Sequence, residues 1–154
     1  MLASLEATAF SKWLLGSNSI WAYPTVLTLH TIGMMVLVGA AAMIDLRVLG
    51  FGRGIPLGSM GALFRVIWGG LIVNGVTGTM LFMADATKRG TSTIFLVKLA
   101  LVAVGIATVV MIKRSLHGSG APVAVSETTR LLAIGSLLVW TAVVTAGRLL
   151  AYIT

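Results

Sequence analysis

Three side chains capable of chemistry stand inside apolar runs of this sequence: His30 in WAYPTVLTLHTIGMM, Lys98 in IFLVKLALVAVG and Arg148 in TAVVTAGRLLAYI. Imidazole is a metal ligand and titrates near neutral pH. A desolvated amine can lose its proton, and a guanidinium grips an anion through paired hydrogen bonds. Each residue also has a plainer use. Lys98 and Arg148 lie close enough to the ends of their runs to send the charge outward along an apolar stem, and a neutral His30 needs only a nearby carbonyl, Thr or Asn. Depth favours a shared role. His30 lies six residues below Pro24, Lys98 four below Ile94 and Arg148 four short of Tyr152. In helices of alternating direction, all three fall in one half of a membrane, about 6 to 9 Å inside it. An isolated charge at the centre of such a layer costs about 2.5 to 3.5 kcal/mol, so groups gathered at one level point to a common anionic ligand.

The elements that carry these groups follow from composition. The chain has 154 residues, 58% hydrophobic and 10% charged, with a mean hydropathy of +1.04; a soluble domain would be about 25% charged. Four runs reach the roughly 20 residues that cross a bilayer: 24–44, 66–84, 94–112 and 131–152. Trp21 and Tyr23 are interfacial anchors, and Pro24 suits a first helical turn. Ahead of them, LEATAFSKWLLGSNS spaces Phe10, Trp13 and Leu14 for a short interfacial helix, without the basic start or cleavage pattern of a signal peptide. The stretch from Asp45 to Arg65, with five glycines and a proline, reads as a loop of turns. DATKRGTST reads as a short connection and KRSLHGSGAPVAVSETTR as a surface linker. The expected fold is all-α: one domain, residues 1–154, an integral-membrane antiparallel four-helix bundle with a short N-terminal interfacial helix. Gly33, Gly39, Gly69, Gly70, Gly75, Gly78 and Gly105 are the candidates for close helix approach.

Charge sets direction. Arg47, Arg53, Arg65, Lys113, Arg114 and Arg130 flank one side, against Lys12, Lys88 and Arg89 on the other. The positive-inside rule then puts both termini outside the cytoplasm. The net charge of +7 serves anionic lipid headgroups rather than nucleic acid, because the basic residues border apolar runs.

Other chemistries are disfavoured. There is no cysteine, so no thiolate site or disulfide, and redox work requires a bound cofactor. No catalytic triad, carboxylate pair, zinc spacing or phosphate-binding glycine loop occurs. Met34, Met80 and Met83 beside His30 could supply soft ligands to Cu(I), yet methionine more commonly fills irregular apolar packing. His117 lies in a Gly/Ser-rich loop and reads as solvated. Asp85 is the carboxylate nearest the polar level, available to Lys98, Arg148 or Lys88. Asn74 and Thr77 read as interhelical or main-chain hydrogen-bonding groups, and Trp140 as core packing or a surface for a stacked ring. His30, Gly33, Met34 and Leu37 share one helical stripe and Lys98, Leu101, Val102 and Gly105 another. A glycine on each leaves room for a flat cofactor, or for helix packing alone.

LHTIGMMVLVG, DLRVLG, FRVIWGGLIVNGVTGTMLF and FLVKLALVAVG together resemble the bacterial haem-containing membrane protoporphyrinogen oxidase family and related four-helix inner-membrane proteins, over about residues 24–105. The resemblance implies b-type haem held by His30 and Lys98 as axial pair, Arg47 in the place of the family arginine, and a bacterial inner-membrane location. After that arginine this chain reads VLGFG, where the family carries an aromatic residue and a histidine, and Ile112 stands near a second family histidine. The expected function is a haem b protein passing electrons within the membrane to quinone or a larger complex. Lys98 is then the second ligand or a propionate partner, and Arg148 a propionate clamp. The alternatives are a cofactor-free accessory subunit of a larger complex and a protoporphyrinogen-oxidase-like enzyme. A homo-oligomer is compatible with each.

Overall fold

The computed structural model describes residues 2–16, 21–117 and 125–153. Among them are two short N-terminal helices, α1 (Leu2–Glu6) and α2 (Ala9–Gly16), then the long helix α3 (Ala22–Leu49). A 3₁₀ turn (Leu57–Met60) leads into α4 (Gly61–Ala84), and the short α5 (Ala86–Gly90) is followed by α6 (Thr93–His117) and α7 (Glu127–Ile153). Four helices are long and apolar enough to cross a membrane, with mean hydropathies of 2.0, 1.6, 2.6 and 1.6 along the chain. Large apolar side chains point outward from all four: Met35 is 68% exposed, Ile72 66%, Leu99 50% and Leu138 67%. That outward face suits lipid rather than water.

The helices run beyond the expected spans, for local reasons. Asp45 does not open a loop. α3 continues through it to Leu49 and stops at Gly50, whose φ of +105° only glycine adopts without strain. There the Gly50 N–H donates to the Arg47 carbonyl and the Phe51 N–H to that of Leu46, a Schellman closure. Arg47 then holds the loop, donating from Nε to the Ile55 carbonyl at 2.7 Å. At the start of α7, the Ser126 hydroxyl accepts the Thr129 N–H at 3.2 Å, an N-cap that begins the helix before Leu131. The linker expected after Lys113 lies partly outside the described residues, as does the His117 side chain.

The single interfacial helix expected at the N-terminus is two, divided at Thr8, whose hydroxyl accepts the Ser11 N–H and caps α2. Both pack across one end of the long helices. Glu6 Oε1 accepts the Thr87 N–H at 2.6 Å, Ser11 donates to the Met83 carbonyl at 3.1 Å, and Leu14 is buried against Val26 and Leu81.

α3 lies between α4 and α7, and α6 packs on the far side of α7. Contacts step in opposite directions along each pair, His30 with Thr77 and Leu37 with Gly70, Lys98 with Gly147 and Gly105 with Trp140, so neighbours are antiparallel. α4 and α6, which would close the ring, have no comparable backbone packing. The main apolar core joins Leu37, Ile44, Phe64, Ile67, Ile112 and Trp140 towards one end. The smaller cluster around Leu14 and Leu81 fills the other. His30 lies between them.

Candidate functional site

His30 is fixed from both sides of its residue. Its carbonyl accepts a hydrogen bond from the Asn74 side-chain amide at 2.9 Å, and its Nδ1 lies 3.0 Å from the Thr77 hydroxyl oxygen. That hydroxyl has one proton, which it donates to the Val73 carbonyl at 2.6 Å. Thr77 therefore accepts from His30 Nδ1–H. The network assigns the tautomer: Nδ1 carries the proton and Nε2 keeps its lone pair. Gly78 makes space for the ring, since a Cβ there would stand 3.1 Å from His30 Cε1.

Two cavities meet at this histidine, sharing His30, Met34 and Lys98 in their walls. One, of about 560 Å³, lies between α3 and α7 and is completed by Gly39, Gly147 and Arg148. The other, of about 410 Å³, lies between α4 and α6 and is completed by Asn74, Gly75, Phe82 and Phe95. The structure thus brings His30, Lys98 and Arg148 to the wall of one cavity. Lys98 is half-buried, and its Nζ would stand 3.6 Å from a Cβ at Gly147, so that glycine gives the amine room against α7. Neither Lys98 nor Arg148 pairs with a carboxylate among the described residues. Asp85, expected near them, instead faces Arg89 at 3.9 Å. Arg148 is exposed and lies over the Tyr152 ring at 6.0 Å.

Several expectations change. The glycines on the two stripes are filled by protein: a Cβ at Gly33 would press on Val73 and Asn74, and one at Gly105 would come 2.9 Å from the Trp140 ring. Space comes instead from Gly78 beside the His30 ring and from Gly39, Gly75 and Gly147 in the cavity walls. Trp140 is core, with its indole face against Gly105. Arg47 lies about 25 Å along α3 from His30 at 1.5 Å per residue, holding loop carbonyls rather than meeting the cavities. Met80 packs in the cluster around Leu14, away from Met34. A second polar cluster went unread in the sequence. Asp45 is 1% exposed on α3 and lies beside Ser136 of α7, itself 0% exposed, and Asp45 Oδ2, Ser136 Oγ and Trp140 Nε1 are buried without hydrogen-bond partners among the described residues. The i, i+4 spacing of Ser136 and Trp140 was the available signal.

No group of three His, Asp or Glu side chains comes together among the described residues. A scan of known protein families, of curated proteins and of solved structures finds no match to this chain.

Proposed function

We propose that this protein binds haem b between its membrane-spanning helices and passes electrons within the bilayer. The observation that carries the reading is the anchored His30 ring: Nδ1 lies 3.0 Å from a Thr77 hydroxyl whose proton goes to Val73, which assigns the free lone pair to Nε2 of a ring lining two apolar cavities. Metal-ligating histidines are held in this way, by a hydrogen bond from the other ring nitrogen. A bare metal ion needs three or four protein ligands, and that set is lacking among the described residues. A metal carried in a macrocycle asks for fewer ligands from the protein; His30 would hold it, with Lys98 on the same cavity walls as a second ligand or a propionate partner. The cations fit the rest of the group: Lys98 and Arg148 pair with no carboxylate among the described residues, and haem carries two propionates for a guanidinium fork to hold. The motif resemblance around His30 and Lys98 points the same way.

When bound, haem supplies a one-electron iron couple. The chain itself orients the imidazole through Thr77, excludes water with the apolar cluster around Leu14 on one side and the main core on the other, and places Arg148 at the cavity wall. The test is spectroscopic. Protein expressed with ample haem and purified in mild detergent is expected to show a Soret band, with sharpened α and β bands on dithionite reduction and about one haem per chain. His30→Ala is expected to lose at least nine-tenths of that haem while keeping its helical circular dichroism. Full haem content in His30→Ala, or a colourless, folded wild type, would overturn the reading.

A further inference from the structure

Three features mark the cavity between α4 and α6. It lies where α4 and α6 meet through side chains alone, and its mouth opens outward: Gly75, Thr79 and Leu99 line it and are exposed. It is bounded at one end by Phe82 and Phe95, stacked across the two helices at 5.3 Å and 14°. And its amide is only half used. Asn74 donates one N–H to the His30 carbonyl, while its other N–H and its Oδ1 have no partner among the described residues. Arg148, by contrast, belongs to the α3–α7 cavity alone.

We infer that the α4–α6 cavity is a separate binding site for the head ring of a lipid-soluble quinone, which reaches it sideways from the bilayer between Phe82 and Leu99. The inference rests on the haem reading, which places a redox partner on the opposite side of the same imidazole. The chemistry selects the class. A ligand arriving through lipid is apolar over most of its surface, and a slot between two helices capped by stacked phenyl rings suits a flat ring. The free amide of Asn74 offers both a donor and an acceptor, so it meets the carbonyl of a quinone and the hydroxyl of a quinol alike. A phospholipid acyl chain would use the apolar walls but leave that amide unpaired in the membrane, at a cost.

The two cavities can be plugged separately. A Cβ at Gly75 or at Gly39 would meet nothing within 4 Å, and each glycine lines just one of the two cavities, so Phe at either position adds bulk at the wall of its own cavity without a helix contact. Holoprotein in lipid nanodiscs would be photolabelled with an azido-ubiquinone analogue, with decylubiquinone or oleate as competitor, and peptides mapped by mass spectrometry alongside haem content. Expected are label on 71–82 and 95–102, displacement by decylubiquinone but not oleate, a tenfold or greater loss of label in Gly75→Phe with haem retained, and loss of haem in Gly39→Phe. Label elsewhere, label that oleate displaces equally, or label unchanged in Gly75→Phe would overturn the quinone site. So would loss of haem together with label in Gly75→Phe, which would make the two cavities one site. Wild-type protein that labels as expected but holds no haem would remove the haem reading and leave the quinone site standing. Mapping on the wild type decides the matter even if a plugged variant fails to fold.

Discussion

At the scale of single residues, the site depends on a hydroxyl proton. Thr77 can accept from His30 only because its own proton goes to the Val73 carbonyl, so a main-chain group one turn away sets which imidazole nitrogen is free. Thr77→Val keeps the shape and removes the acceptor. The Nδ1–H then loses its hydroxyl acceptor, at roughly 0.5–1.5 kcal/mol, and the ring loses the contact that sets its tautomer. Haem affinity is expected to fall by about 10- to 100-fold, the usual scale for such supporting groups. Thr77→Ser retains the hydroxyl and is expected to restore near-wild-type affinity and spectrum. Haem titration of the two variants, with thermal unfolding as control, separates positioning of the ring from a general loss of packing. Equal behaviour of Val and Ser would show that the hydroxyl does not hold the ring.

At the scale of helices, adjacent glycines on α4 have opposite duties. A Cβ at Gly70 would meet the Gly33 carbonyl oxygen, the Leu37 amide nitrogen and the Leu37 Cβ, each at 3.0 Å, whereas one at Gly69 would meet nothing within 4 Å. Backbone cannot swing aside as a side chain can. Gly70→Ala is therefore expected to destabilise the α3–α4 pair by about 1–3 kcal/mol, while Gly69→Ala, which replaces a poor helix former by the best, is expected to leave stability unchanged or raise it by up to about 1 kcal/mol. Equilibrium unfolding in mixed micelles would compare them, and a Gly70→Ala as stable as Gly69→Ala would contradict the close contact. The same pair shows what the sequence could tell. That α4 is a helix with glycines for packing was legible from its apolar run, but which glycine faces a partner depends on phase against α3, which no single-helix pattern contains. Asp45 misled for a related reason. A charged residue after twenty apolar ones reads as the exit from a membrane, yet the backbone signal that ends α3 is Gly50, and Asp45 is buried between helices whose pairing only tertiary structure defines. The convergence of His30, Lys98 and Arg148 was readable because it depended on depth alone, which residue counting supplies. The gap between α4 and α6, and hence a second cavity, depends on which helices pair and was not readable.

At the scale of the whole molecule, backbone packing runs α4–α3–α7–α6, with α4 and α6 meeting through side chains alone, and the polar level lies nearer the end that carries α1, α5 and the last turns of α7. Which side of the membrane that end faces is set by charge. Arg47, Arg53 and Arg65 lie by the α3–α4 connection, whereas Lys88 and Arg89 lie on α5 at the other end. With Lys113, Arg114 and Arg130 also at the first end, the positive-inside rule predicts the α3–α4 connection on the cytoplasmic side and the His30 level in the outer half of the membrane. The chain has no cysteine, so single thiols report without background. Ser59 and Thr87 are both exposed, at opposite ends. In intact cells a membrane-impermeant maleimide is expected to label Thr87→Cys fully, and Ser59→Cys only after permeabilisation. The reverse pattern would turn the molecule over and put the cavities in the cytoplasmic half. This labelling therefore fixes the side of the membrane nearer to the His30 level, the side on which a soluble partner of the proposed haem site is to be sought.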